Sequence, residues 1–195
     1  MTSVISDARH PRAVVGYKIS KRDQDLRCGL PLSSSGKRPK FYLGLSFRLE
    51  PDDARKYMAV TASVMLLSLD EQLEQVLFHY DYERNKIDGY PEAHLQVCAS
   101  SEAWERAGTR LDGRNRLLER LHLPVGPRRF RPSVEDIIEF LVAEQLVSPR
   151  DGWEREIETG RERFRVKQLR AAIRRDPETA LAFMREEKLL EHGER

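Results

Sequence analysis

Apolar side chains occupy every second position in four stretches of residues 41–99, which predicts four half-buried β-strands. Short polar turns separate these stretches, so we expect an antiparallel meander of about four strands with one covered face. The apolar sets expected to face the core are Phe41, Leu43, Leu45, Phe47 and Leu49; Met58, Val60, Ala62, Val64 and Leu66; Val76, Phe78, Tyr80 and Tyr82; and Leu95, Val97 and Ala99.

A helical pattern follows the strands at residues 133–147. Ser133 and Asp136 have the spacing of a capping box, which predicts the start of the helix. The side chains predicted to form one apolar stripe that covers the sheet are Val134, Ile137, Ile138, Leu141 and Val142. The fold class expected is therefore α+β.

The two ends of the chain carry weaker patterns. Residues 1–40 are poorly patterned, although residues 13–19 have the composition of a strand. Residues 148–195 read as a helical extension that breaks and restarts at Asp176-Pro177, because proline fits the first turn of a helix. We therefore expect an N-terminal segment (1–40), an α+β core domain (41–147) and a C-terminal helical extension (148–195).

Composition narrows the possible classes of protein. No apolar run approaches the roughly 18 residues of a membrane span, and residues 1–12 lack the apolar stretch of a signal peptide. Cys28 and Cys98 are far apart, so neither a disulfide scaffold nor a zinc site is indicated. These features predict a cytoplasmic protein with no membrane partner, no metal and no cofactor.

Candidate chemistry is concentrated on the third and fourth predicted strands. By alternation, His79, Asp81 and Glu83 share the outward face of one strand, and His94 lies on the outward face of the next. Two imidazoles beside a carboxylate suit general acid–base catalysis or metal binding. The alternative is that these positions are polar only because they face water.

A sequence resemblance bears on the same region. The segment YDYERNKID at residues 80–88, followed by His94, resembles the core motif of the TumE-like toxins of bacterial toxin–antitoxin modules. The segment GPRRFRPSVED at residues 126–136 resembles the linker and helix that follow in that family. The similarity spans about residues 41–147 and implies a strand pair with a covering helix and an RNA-directed activity.

A second pattern pairs an arginine with a histidine. Arg116 and His122 lie on a predicted helix with a spacing similar to that of HEPN-type ribonucleases, which set such a pair against a phosphate. HEPN domains are wholly helical, whereas strands are predicted here, and a chain with this many arginines produces such a spacing by chance.

Basic residues form two candidate nucleic-acid contacts. One is the cluster Arg128, Arg129 and Arg131, and the other is one face of the predicted helix, with Arg163, Lys167, Arg170 and Arg174. The helix face is equally consistent with a solvated surface.

Two functional hypotheses follow. The first is a toxin-related or accessory protein of a prokaryotic toxin–antitoxin or defence module that acts on or binds RNA. The second is a non-catalytic module that docks a cognate protein partner through its C-terminal helices. Whether the chain is an enzyme stays open at this stage.

Overall fold

A computed structural model describes residues 1–6, 11–32, 38–52, 55–87, 91–109, 116–125 and 131–189. The chain divides into two compact units, Met1–Arg150 and Asp151–Arg195. The strands are β1 Thr2–Ser6, β2 Arg12–Gly16, β3 Leu30–Leu32, β4 Phe41–Pro51, β5 Met58–Ser68, β6 Val76–Glu83, β7 Ala93–Val97 and β8 Leu123–Pro124. The helices are α1 Glu102–Thr109, α2 Leu117–Arg120, α3 Val134–Ala143, α4 Trp153–Arg175 and α5 Pro177–Glu186.

The first unit is built on an eight-stranded antiparallel sheet, so the predicted four-stranded meander is wrong. The strand order is β1-β2-β4-β5-β6-β7-β8, and β3 pairs with the start of β4. The predicted strands correspond to β4 to β7, and the coarser α+β class fits the structure. The additional strands flank them at both edges.

Three of the additional strands come from residues 1–40, where the sequence pattern indicated a strand only at residues 13–19, which overlaps β2. β1 and β3 are five and three residues long, so each carries too few alternating positions to be recognised. The 11-residue strand β4 pairs with β3 along its first part and with β2 along its later part, and β1 pairs with β2. Val4 and Val14 are buried with Ile19 in a small cluster of their own.

The main core lies on one face of the sheet. Leu43 and Leu45 of β4 are opposite Leu67 and Met65 of β5, and all four are buried. The predicted orientation of β5 is therefore wrong in this part, because Val64 and Leu66 lie on the opposite face. The predicted orientation of β6 is confirmed, since Phe78 and Tyr80 pack against this core.

Helix α3 covers this face. Ser133 caps it: its side chain accepts a hydrogen bond from Asp136 N, and the Asp136 carboxylate accepts one from Ser133 N, so the predicted capping box is confirmed. Ile137 and Leu141 are buried against the sheet. Ile138 is only partly buried, so the stripe that packs is narrower than the pattern predicted.

The second unit contains α4 and α5. The break between them is at Asp176, whose side chain accepts a hydrogen bond from Thr179 N, with Pro177 in the first turn of α5. This agrees with the predicted break. No helix in the described part of the chain is long and apolar enough to cross a membrane.

Candidate functional site

Polar side chains from two neighbouring strands meet on the sheet face opposite the α3 face. His79, Asp81 and Glu83 come from β6, and His94 and Gln96 come from β7. The register pairs Asp81 with His94 and His79 with Gln96. Side chains that are directly opposite in antiparallel strands are within contact range. The predicted pairing of these strands, with both histidines on one face, is confirmed.

Asp81 lies between the two histidines. Its Oδ2 atom is 3.5 Å from Nε2 of His79 and 3.7 Å from Nε2 of His94. Its Oδ1 atom is buried and has no hydrogen-bond partner among the described residues. A carboxylate in this position stabilises a positive charge on either ring and leaves one oxygen uncompensated.

The surroundings of His94 determine where its hydrogens lie. Nδ1 is 3.2 Å from the carbonyl oxygen of Pro91, which can only accept, so Nδ1 carries a hydrogen and donates it. Nε2 faces Asp81 Oδ2. The distance of 3.7 Å is longer than a hydrogen bond, and the carboxylate attracts the ring only when Nε2 carries a proton. The His94 side chain is 6% exposed, so water does little to stabilise a positive charge on its ring.

The tautomer of His79 is set by Gln96. The side-chain amide nitrogen of Gln96 donates to the carbonyl oxygen of Glu119 at 3.3 Å. The amide oxygen of Gln96 therefore accepts from Nε2 of His79, at 2.7 Å. Neutral His79 thus carries its hydrogen on Nε2, and Nδ1 is its basic nitrogen.

An open groove of about 460 Å³ lies along this face. Its walls include Asp81, Glu83, His94 and Gln96, but His79 is not among the residues that line it. The groove side chains that carry a formal charge at neutral pH are Arg48, Lys86, Asp25, Asp81 and Glu83. Lys86 is paired with Glu83 at 3.0 Å. With neutral histidines, the charged side chains of the groove leave it slightly acidic.

The N-terminal segment contributes to the groove, which the sequence pattern did not predict. Gln24, Asp25 and Leu26 line it, and they follow β2 in a segment without regular structure. The backbone N–H of Gly29 donates to Glu71 O at 2.8 Å, which ties the end of this segment to the turn after β5. This side of the sheet face is partly covered, while the groove beside His94 stays open.

His122 is a candidate functional residue whose predicted pairing with Arg116 on one helix is wrong. It lies after α2, whereas Arg116 is the N-cap of α2 with φ 54° and pairs with Glu119. The two residues are therefore not on one helix, and the HEPN-like interpretation is wrong. His122 instead packs edge-to-face against His94, with ring centroids 4.5 Å apart, and lines the groove.

Of the predicted basic cluster Arg128, Arg129 and Arg131, only Arg131 is among the described residues. Arg128 and Arg129 lie outside the described residues. The guanidinium of Arg131 lies over the ring of Tyr82, 4.1 Å from its centroid. Because Tyr82 alternates with Asp81, Arg131 is on the α3 side of the sheet and does not reach the groove face.

The remaining basic residues are on α4. Arg163, Lys167, Arg170 and Arg174 are exposed and recur at intervals of three or four residues, so they share one side of the helix. Arg165 is held differently, because two of its nitrogens donate to Glu162 at 2.6 and 2.7 Å.

No protein-family model, curated protein or solved structure matches this chain. Within the described ranges, no group of three or more His, Cys, Asp or Glu side chains has an arrangement that would hold a metal ion.

Proposed function

We propose that this chain is a toxin-related protein of a prokaryotic toxin–antitoxin or defence module, and that it cleaves RNA in the groove beside His94. The observation that carries the proposal is the contact of His94 with Asp81, at 3.7 Å, on the wall of an open groove. The resemblance of residues 80–88 to the TumE-like core motif supports the same reading.

The reaction that suits these groups is transesterification of RNA. The 2′-oxygen attacks the neighbouring phosphorus while a base takes its proton, and the bond to the 5′-oxygen breaks as an acid protonates that oxygen. The products are a 2′,3′-cyclic phosphate and a 5′-hydroxyl end, so no further reactant is consumed. Imidazole is suited to both roles because it titrates near neutral pH.

His94 is suited to the acid role. Its ring lies 3.7 Å from the Asp81 carboxylate, and its hydrogen bond to Pro91 fixes the ring orientation. A positioned acid or base contributes about 10²–10⁴-fold to a reaction rate. Asp81 stabilises the charged ring and is thus a positioning group in this scheme.

The groove carries two basic side chains, Arg48 and Lys86, against three carboxylates, so it is not itself a basic surface. A separate candidate contact for an RNA backbone is the exposed basic side of α4, formed by Arg163, Lys167, Arg170 and Arg174. Such contacts are independent of base sequence and sensitive to salt. They would hold RNA mainly through its phosphates.

The direct test is cleavage of an end-labelled single-stranded RNA by the purified chain. A matched oligonucleotide with 2′-deoxyribose at every position is the control, since it lacks the attacking oxygen. We expect cleavage of the RNA with a cyclic phosphate at the new 3′ end and no cleavage of the control. His94→Asn, which retains a donor for Pro91 but cannot transfer a proton, should be inactive. Equal cleavage of both oligonucleotides would contradict the proposed chemistry.

One observation favours the alternative, a non-catalytic module that docks a cognate protein. Leu169 and Ile173 on α4, and Leu181 and Phe183 on α5, are 44–56% exposed. Large exposed apolar side chains in proximity are typical of interaction surfaces. Co-purification with the product of the adjacent gene tests this. Loss of co-purification in Leu181→Asp/Phe183→Asp, with RNA cleavage absent throughout, would support the alternative.

A further inference from the structure

His122 and His94 form a pair of imidazoles on the wall of the groove. Their ring centroids are 4.5 Å apart and their planes are inclined by 71°. Both residues line the groove. Both rings therefore border the space that a phosphodiester bound in the groove would occupy.

The position of His122 is maintained by the strand that carries His94. Immediately after His122, β8 pairs with β7, so that Pro124 is opposite His94 and Leu123 is opposite Leu95. Three residues before it, the carbonyl oxygen of Glu119 accepts a hydrogen bond from Gln96 of the same strand. Because the chain contacts β7 both before and after His122, the pairing of the sheet holds His122 beside His94.

His79 has a different environment. It does not line the groove, and its Nε2 hydrogen is engaged by Gln96 at 2.7 Å. Its second close polar contact is Asp81, at 3.5 Å. These contacts connect His79 to Asp81, which orients His94, and to Gln96, which holds the segment before His122. A residue with such contacts supports the reacting side chains.

We propose that His122, and not His79, is the second catalytic imidazole of the groove. This rests on the proposed RNA cleavage. His122 takes the proton of the 2′-hydroxyl as the oxygen–phosphorus bond forms, and His94 gives its proton to the departing 5′-oxygen. After the reaction His122 is protonated and His94 has lost its proton, the reverse of their starting states. Proton exchange with water restores both rings. His79 and Gln96 are positioning residues for Asp81 and for the α2–β8 segment.

Two variants of His122 separate chemistry from folding. His122→Ala removes the ring, while His122→Phe retains an aromatic edge against His94 and cannot transfer a proton. We expect both to lower the rate of RNA cleavage by about 10²-fold or more, with His122→Phe close to wild type in melting temperature. His79→Gln keeps a donor for Gln96 and should stay within about tenfold of wild type.

A second readout does not require turnover. The ring signals of the five histidines are followed by NMR while a 2′-deoxy dinucleotide, which cannot react, is added. We expect the His94 and His122 signals to shift together and the His79 signals to shift little.

The outcomes separate this inference from the proposed function. If the wild type cleaves RNA and His122→Phe cleaves it equally well, or if the dinucleotide shifts His79 in place of His122, the assignment of His122 is wrong and the proposed function stands. If the wild type neither cleaves RNA nor shows any ring shift, the proposed function fails, and the assignment of His122 fails with it.

Discussion

Nε2 of His94 lies 3.7 Å from Oδ2 of Asp81 across two paired strands, while Nδ1 of the same ring donates to the carbonyl of Pro91. The ring therefore has a polar neighbour on each side. Asp81→Asn keeps the shape and removes the charge. We expect this variant to reduce RNA cleavage by about 10-fold or more with little change in melting temperature. Unchanged cleavage in Asp81→Asn would show that the carboxylate has no part in orienting or charging His94.

The packing of α3 gives a prediction about stability. Leu141 is 1% exposed, whereas Ile138, three residues earlier, is only partly buried. Leu141→Ala should therefore lower the free energy of unfolding by about 2–5 kcal/mol, because it leaves a cavity in the core. Ile138→Ala is the matched comparison and should cost clearly less in the same urea titration. Equal losses would mean that α3 packs through the wider stripe that the sequence pattern suggests.

The turn between β5 and β6 predicts a dependence of stability on pH. The pKa of Asp70 is lowered, chiefly because its carboxylate accepts the backbone N–H of Glu74, with further hydrogen bonds from Gln75 N and Ser68 Oγ. A folded pKa below the unfolded value of about 3.9 means that the stabilisation is present above that pH and is lost as the pH falls through the folded value. Asp70→Asn should therefore be less stable than wild type at pH 7, and the difference should shrink towards pH 2. Urea titrations across this range measure it, and a constant difference would contradict the prediction.

The basic side of α4 predicts a salt dependence of RNA binding. Each neutralised phosphate of a single strand adds about 0.7 to the slope of log affinity against log salt concentration. Arg163→Gln and Arg170→Gln together should flatten that slope. Arg165→Gln is the matched control, because Arg165 is already held by Glu162 at 2.6 and 2.7 Å. An equal effect of Arg165→Gln, or an unchanged slope in the double variant, would indicate that this side of α4 is only a solvated surface.

Arg131 is expected to act on stability and not on RNA. Its guanidinium stacks 4.1 Å from the centroid of the Tyr82 ring, and Tyr82 is 3% exposed. A cation–π contact of this kind contributes about 0.5–2 kcal/mol, depending on its burial. Arg131→Gln should lower the free energy of unfolding by an amount in that range and leave RNA affinity unchanged. Weaker RNA binding without loss of stability would indicate that Arg131 contacts RNA.

The parts of the fold that follow from local chemistry could be predicted from the sequence. The period-2 pattern of β6 and β7 is strict, so it indicated which face His79, Asp81 and His94 share before any contact was known. The cap at Ser133 and the break at Asp176-Pro177 were likewise predictable, because each depends on residues within four positions of one another.

The orientation of β5 could not be predicted in the same way. Residues 64–67 read VMLL, so both faces of the strand are apolar there and alternation does not distinguish them. The strands that pair with β5 determine its orientation. Met65 and Leu67 are opposite Leu45 and Leu43 in the main core, and Leu66 is buried on the other side.

The sequence by itself determined that two histidines and a carboxylate share one face of a strand pair, because alternation along a strand is a local property of the backbone. Only the tertiary structure decided what surrounds them. The pairing of β8 with β7 places His122 beside His94, and the segment at residues 24–26 forms another wall of the groove. These contacts join residues that are tens of positions apart, and their register depends on packing across the whole sheet, which no short pattern encodes.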